Sequence, residues 1–364
     1  MKPTAPIERL EVSTYVVPTD LPEADGTLEW DRTTFVVVEA VAGGRRGLGY
    51  TAADEATARL IHEKLDAAVR GKDAMAVSAS FWSMIRAIRN LGRPGIVSMA
   101  ISAVDAALWD LKARLLDVSL VNLLGPARDS IDIYASGGFT SYSVEQLQYQ
   151  LASWVAQGIP RVKMKIGSHP NEDLERVRAA REAIGDEAQL FVDANGAYSR
   201  KEALAMAEYF REYSVAWFEE PVSSDDLEGL RLLRDRGPAG MDIAAGEYGY
   251  DLAYFKRMLD AGAVDVLQAD LSRCGGPSEF LRVGALCEAT NTPLSAHCCP
   301  SLHAPLACAI GSARHVEYFH DHARIEHMLF DGALVPRDGA LRPDASRPGF
   351  GLELKRRDAA RFAA

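Results

Sequence analysis

A chain of 364 residues with 48% hydrophobic and 25% charged residues has the composition of a soluble globular protein with a substantial core. Its length exceeds the usual single domain, and no stretch approaches the roughly 20 apolar residues needed to span a bilayer. A net charge of −11, with no basic run longer than Lys355-Arg356-Arg357, disfavours polyanionic partners, so small molecules and not nucleic acid are expected.

In chain order, MKPTAPIERLEV carries no apolar core followed by a small-residue cleavage site, which argues against a secretory signal and makes the cytoplasm the expected compartment. The runs IERLEVSTYVVPT, TTFVVVEAVAGG and RRGLGYTA read as antiparallel strands, and SMAISAVDAALWDLKARLLD reads as a strongly amphipathic helix. An α+β capping domain over residues 1–130 is expected. From residue 131 to 320 short apolar runs alternate with helical periods. The strand candidates are 131–136, 161–166, 189–194, 215–220, 242–247, 264–270, 293–297 and 315–319. Helix-compatible stretches lie between them, and three open on Ser143, Asn171 or Ser199 as a capping residue. Eight strands joined by mostly helical connections predict a (β/α) barrel of the TIM type. After residue 320 the chain breaks into Gly/Pro-punctuated pieces, so residues 321–364 are expected to return to the capping domain. The five cysteines, Cys274, Cys287, Cys298, Cys299 and Cys308, have no paired spacing and read as buried structural thiols; Cys298-Cys299 with His303 lacks the C-x₂-C pair expected of a zinc site.

Active-site residues of such barrels sit at the C-terminal ends of the strands. There the sequence places Lys163 and Lys165, Asp193 followed by Asn195, Glu219 with Glu220, Glu247, Asp270, His297 and Glu317, at successive gaps of 20 to 28 residues from Lys165 onward. A single acidic residue at a strand end is most simply a helix cap or a solvated loop residue. Seven consecutive units each carrying a charged or titratable residue is a pattern. Asp193, Glu219 and Glu247 would offer three carboxylates to a hard cation, favouring Mg²⁺ over Zn²⁺. Lys163 and Lys165 point to one side of their strand, where each ammonium should depress the other's pKa, and Asp270 could orient His297.

With the ordered motifs K-x-K, D-A-N, E-E-P and G-E and the separated Asp and His, the chain resembles the enolase superfamily, in its mandelate racemase subgroup. The resemblance spans nearly the whole sequence. It implies a modified TIM barrel with a capping domain built from the N-terminal segment and the C-terminal tail. It implies Asp193, Glu219 and Glu247 as Mg²⁺ ligands, Lys165 as the base on one face of a substrate's α-carbon, and Lys163 as the group neutralising its carboxylate. His297 with Asp270 would serve the other face, a protonated Glu317 would bond a substrate carboxylate oxygen, and Asn195 would be a weaker outer candidate. Cycloisomerases and dipeptide epimerases of the family place a second lysine on the sixth strand; here ADLSRCGG carries Arg273, which cannot deprotonate, so that branch is disfavoured. Arg273 and His303 are secondary candidates for the distal end of a substrate.

The expected reaction is dehydration of a sugar acid, with racemisation or epimerisation of a 2-hydroxy acid as the alternative and a non-catalytic barrel as a remote one. The segment TDLPEADGTLEWDRTTF (19–35), expected to close over the substrate, is acidic and hydroxylated as a polyhydroxylated ligand would suit. Relatives are commonly symmetric, so a homo-oligomer is expected.

Overall fold

The computed structural model describes residues 5–364. Its first part is an antiparallel sheet of β1 (Arg9–Ala24), β2 (Glu29–Ala42) and β3 (Arg45–Ala52), in that order. The unbroken apolar run in β2 follows from burial on both faces. Phe35 and Val37 join the core shared with the barrel, whereas Val36, Val38 and Ala40 pack beneath helices. Those helices include Val77–Ala87 and segments between residues 56 and 69, which the sequence reading did not identify.

The helix Ile96–Leu115 is buried nearly all round, not amphipathic as expected. It lies between the sheet and the barrel, and its Asp105 and Asp110 are fully buried. The approach to β3 is close enough that a Cβ on Gly47 would stand 2.2 Å from the Ala107 carbonyl oxygen.

Eight parallel strands follow: β4 (Ile131–Gly137), β5 (Arg161–Lys165), β6 (Gln189–Asp193), β7 (Val215–Glu219), β8 (Asp242–Ala245), β9 (Val266–Ala269), β10 (Leu294–Ala296) and β11 (Ala313–Phe319). They pair in sequence order, and β11 returns to β4 to close the barrel. Several end earlier than expected, which leaves Glu220, Glu247, Asp270 and His297 just beyond the ladder. At Glu220 the cause is local: its φ of +39° is left-handed and leaves the strand conformation.

Ser143 and Ser199 each form a capping box, with Gln146 and Glu202. Asn171 is not a cap, because Pro170 already occupies the first helical position there. One more helix, His320–Leu329, follows β11. The tail then touches both parts of the molecule. Its β13 (Ala340–Leu341) pairs with β4 at the bottom of the barrel, β12 (Phe330–Asp331) pairs with β14 (Glu353–Leu354), Arg356 reaches Glu39, and the Ala364 N–H donates to Thr14. Tyr134, Phe191 and Trp217 fill the barrel interior with Ala244 and Val266. Among the described residues no helix is long and apolar enough to cross a membrane.

Candidate active site

The register of the parallel sheet sets the polar ring. Lys165 pairs with Asp193, Asp193 pairs with Glu219, and Lys163 lies two residues before Lys165 on the same face of β5. Lys163 is fully buried, with its Nζ 3.2 Å from Asp193, 2.8 Å from Glu317 and in contact with Glu219. It also lies 5.2 Å from the centroid of the Tyr134 ring. Lys165 Nζ donates to Asp193 Oδ2 at 2.5 Å and to Asn195 Oδ1 at 3.1 Å. Asn195 stands at a left-handed φ of +46°, and its N–H donates to Asp193 Oδ1 at 2.9 Å.

These contacts reverse one expectation. Burial alone would lower both lysine pKa values, but the carboxylates outweigh it and hold both above the ordinary range: Glu219 and Glu317 act on Lys163, and Asp193 on Lys165. Lys163 does depress its neighbour, but less than Asp193 raises it. Glu317 is likewise held well below the usual carboxylate range, because Lys163 and His297 overcome its burial. The protonated Glu317 expected from the resemblance is therefore not the form these neighbours favour.

Oxygens of Asp193, Glu219 and Glu247 lie within 4.8 Å of one another, and all three residues are buried. Glu247 Oε2 accepts no hydrogen bond, although His297 Nε2 lies 3.2 Å away, and Glu220 Oε1 accepts none either. Burial and the neighbouring acids push Glu219 and Glu220 upward, a sign of excess negative charge. An all-oxygen donor set, one bare lone-pair oxygen and uncompensated charge fit a hard divalent cation. Trp217 braces the set from below, its indole N–H donating to Glu219 Oε2 at 2.8 Å.

Opposite β5, His297 Nδ1 meets Asp270 Oδ2 at 2.8 Å, while its Nε2 lies 3.2 Å from Glu247 Oε2 and 3.7 Å from Glu317 Oε2. Burial opposes ionisation of Asp270, but the bond from His297 and its charge hold the carboxyl low. Arg273 bridges the two halves, 3.4 Å from Glu247 and 3.6 Å from Asp270. His303 is a brace: it accepts the Leu271 N–H at 2.9 Å, and its Nδ1 lies 2.8 Å from the Cys298 carbonyl oxygen.

Sequence reasoning treated Cys298 as structural, yet its thiol lies 3.3 Å from His297 Nε2 and its N–H donates to Glu317 Oε2 at 3.0 Å. Consecutive left-handed residues, Cys298 at φ +52° and Cys299 at +39°, turn the chain so that this N–H points inward. Position directly after His297 was the available signal.

The lid folds down over the mouth. Thr140 N–H donates to Ala24 and Ser141 Oγ to Pro22. A Cβ on Gly26 would meet the carbonyl oxygens of Ala194 at 2.2 Å and Ile166 at 2.7 Å, so this residue must lack a side chain. The lid's acids largely brace the lid: Asp25 Oδ1 accepts the Thr27 and Leu28 N–H groups, and Glu23 accepts the Trp30 indole. Lid acidity is thus partly structural and is a weaker report on the substrate than the sequence suggested.

Residues 11–125 match the family model for the mandelate racemase / muconate lactonizing enzyme N-terminal domain, and residues 146–359 match the enolase C-terminal domain-like model. The chain is 32% identical over 359 residues to 3,6-anhydro-alpha-L-galactonate cycloisomerase of Streptomyces coelicolor, covering 96% of this chain and 97% of that one. Its fold is similar to the crystal structure of a mandelate racemase/muconate lactonizing enzyme-like protein from Rubrobacter xylanophilus (TM-score 0.97, 56% identity, 99% and 100% of the two chains). It is also similar to L-talarate/galactarate dehydratase from Salmonella typhimurium LT2 liganded with Mg and L-lyxarohydroxamate (TM-score 0.90, 28% identity, 99% and 93%).

Proposed function

The chain belongs to the mandelate racemase / muconate lactonizing enzyme family of the enolase superfamily, and from that premise we propose that it abstracts the proton α to the carboxylate of a sugar acid and dehydrates the acid to a 2-keto-3-deoxy product. The observation carrying this reading is the division of the mouth, with Lys165 on β5 and the His297–Asp270 pair beyond β9 and β10, on either side of three clustered carboxylates.

Asp193, Glu219 and Glu247 would hold Mg²⁺. When bound, the ion supplies positive charge where the substrate carboxylate becomes an enediolate and draws carboxylate charge away from the two lysines. Lys165, once it has released the proton that Asp193 now holds on it, takes the α-proton on its side of the carbon. Lys163, kept cationic by its neighbours, faces the developing negative charge, and stabilisation there is worth most because it grows in the transition state. Glu317 meets a substrate carboxylate oxygen, which requires it to carry a proton once that second anion arrives. His297, oriented by Asp270, delivers a proton to the β-hydroxyl as the C–O bond breaks and water leaves. The resulting enol then tautomerises to the keto acid.

A competing reading, cycloisomerisation of an anhydro or lactone form of a sugar acid, is favoured by the cycloisomerase relative over nearly the full chain. The test is incubation with a panel of sugar acids, their lactones and anhydro forms in deuterated water with Mg²⁺. Dehydration gives a semicarbazide-reactive keto acid, cycloisomerisation interconverts the cyclic forms, and racemisation changes optical rotation alone. Absence of α-proton exchange with every compound would sink the proton-abstraction reading. Full activity in both Lys165→Ala and His297→Asn would sink the assignment of the two faces.

A further inference from the structure

A second group of metal-type donors lies at the base of the lid and shares no residue with the barrel mouth. Asp20 and Glu23 come from the lid end of β1, and His320 follows β11 directly. One ligand atom from each lies within 4.8 Å of the others, giving two carboxylate oxygens and an imidazole nitrogen. His320 Nε2 already meets Asp20 Oδ2 at 2.9 Å. Ligands bound at about 2.0–2.2 Å from a tetrahedral ion sit about 3.5 Å apart. Closing the set therefore asks for small rotations of Asp20 and His320, whose side chains are 43% and 23% exposed.

The independent observation is Glu23. It is 1% exposed, its Oε2 accepts the Trp30 indole at 2.8 Å, and its Oε1 has no partner. A bare buried carboxyl oxygen is costly, typically about 1–3 kcal/mol. Its charged neighbours do not resolve that cost. Asp321 is committed to Thr33 and Arg324, and Arg324 turns its guanidinium to Asp321 and the Pro18 carbonyl. Burial, with Asp321 adding to it, pushes the Glu23 carboxyl up to about 8. A cation would answer both the missing partner and the repulsion between the acids.

We propose that Asp20, Glu23 and His320 form a second divalent-cation site of zinc type, completed by a water, which ties the lid to the end of β11. An imidazole among the donors separates it from the all-oxygen mouth, which suits Mg²⁺. The consequence is a lid whose closure depends on a cation that need not touch the substrate.

The test is calorimetric titration of Zn²⁺ into the full-length protein in saturating Mg²⁺. One Zn²⁺ per chain is expected, with affinity lowered about 10-fold or more by Glu23→Gln, His320→Gln and Asp20→Asn, and unchanged by Glu247→Gln. Asp20→Asn alters a partly exposed side chain and so keeps the test valid if the buried Glu23 variant fails to fold. Amide exchange across residues 19–28 should slow on adding Zn²⁺ to the natural chain and not to Asp20→Asn. No Zn²⁺ uptake, or affinity in all three lid variants equal to that of the natural chain, would overturn the site, as would uptake lost specifically in Glu247→Gln.

Discussion

Two regions of the molecule are rich in buried carboxylates, the barrel mouth and the seam between the capping domain and the barrel, and they treat the same functional group in opposite ways. In the seam the oxygens are saturated by fixed donors. Asp110 accepts the N–H groups of Leu48 at 2.7 Å and Phe350 at 2.6 Å and the Arg114 Nε at 2.5 Å. Asp105 takes both the N–H and the hydroxyl of Ser278, and Glu326 takes the Ser301 N–H and hydroxyl together with the Tyr50 hydroxyl. In the mouth much of the compensation comes from side-chain cations, Lys163, Lys165 and Arg273, and neither Glu247 Oε2 nor Glu220 Oε1 accepts a hydrogen bond. A saturated carboxylate holds two parts of a fold together; an under-satisfied one is available to a ligand.

The largest expected effect comes from exchanging a mouth carboxylate for its isostere. Glu247→Gln should lower turnover about 10²–10³-fold or more and weaken Mg²⁺ binding, while leaving the urea midpoint unchanged or slightly raised. The change removes a charge that repels Glu220 and breaks no hydrogen bond at Oε2. Mg²⁺ titration and urea unfolding of the same sample check it. A large loss of stability with Mg²⁺ affinity intact would place Glu247 with the seam carboxylates.

Next in size is the converse experiment. Asp110→Ala strands two backbone donors and Arg114 in a buried position, so it should cost about 3–5 kcal/mol of stability. Activity per folded molecule should stay near that of the natural chain, and Asp110→Asn should recover part of the loss by restoring an acceptor. Urea unfolding followed by assays at low temperature measures both quantities. A fall in turnover at full folded population would break the distinction between the regions.

The mouth was legible in the sequence because barrel topology converts spacing along the chain into position around a ring. Lys165, Asp193, Glu219 and the residues after them recur about once per βα unit, and the hydrophobic alternation around them fixes their direction. The seam was not legible. Asp105 and Asp110 read as the polar face of an amphipathic helix, because the partners that let them be buried, Ser278 and Phe350, lie far along the chain. Strand-end charges could be located but not their balance. Two adjacent lysines suggest mutual depression, and only the count of carboxylates around them reverses the sign. Cys298 was missed for a related reason: its role depends on a left-handed backbone turn that residue type does not announce.

The smallest expected effect separates the regions by pH. Burial raises seam carboxyls, Glu326 and Asp105 to about 7 and Asp110 to about 6. A carboxyl with a folded pKa above its unfolded value binds its proton more tightly when folded. Its stabilising contribution is therefore complete below about pH 4, is lost as pH rises towards 7, and is flat above. Asp270 in the mouth has the opposite sign: held low by His297 against the effect of burial, it contributes above the unfolded value and loses that contribution as acid protonates it. Glu326→Gln should consequently flatten the fall in stability between pH 4.5 and 7 by up to about 3 kcal/mol, whereas Asp270→Asn should leave the slope in that window unchanged, lowering the whole curve there and converging on the natural chain only at lower pH. Urea midpoints at half-unit pH steps for the natural chain and both variants decide it. Parallel curves for Glu326→Gln and the natural chain would show that Glu326 is ionised in the folded seam, its charge carried by the three donors that surround it.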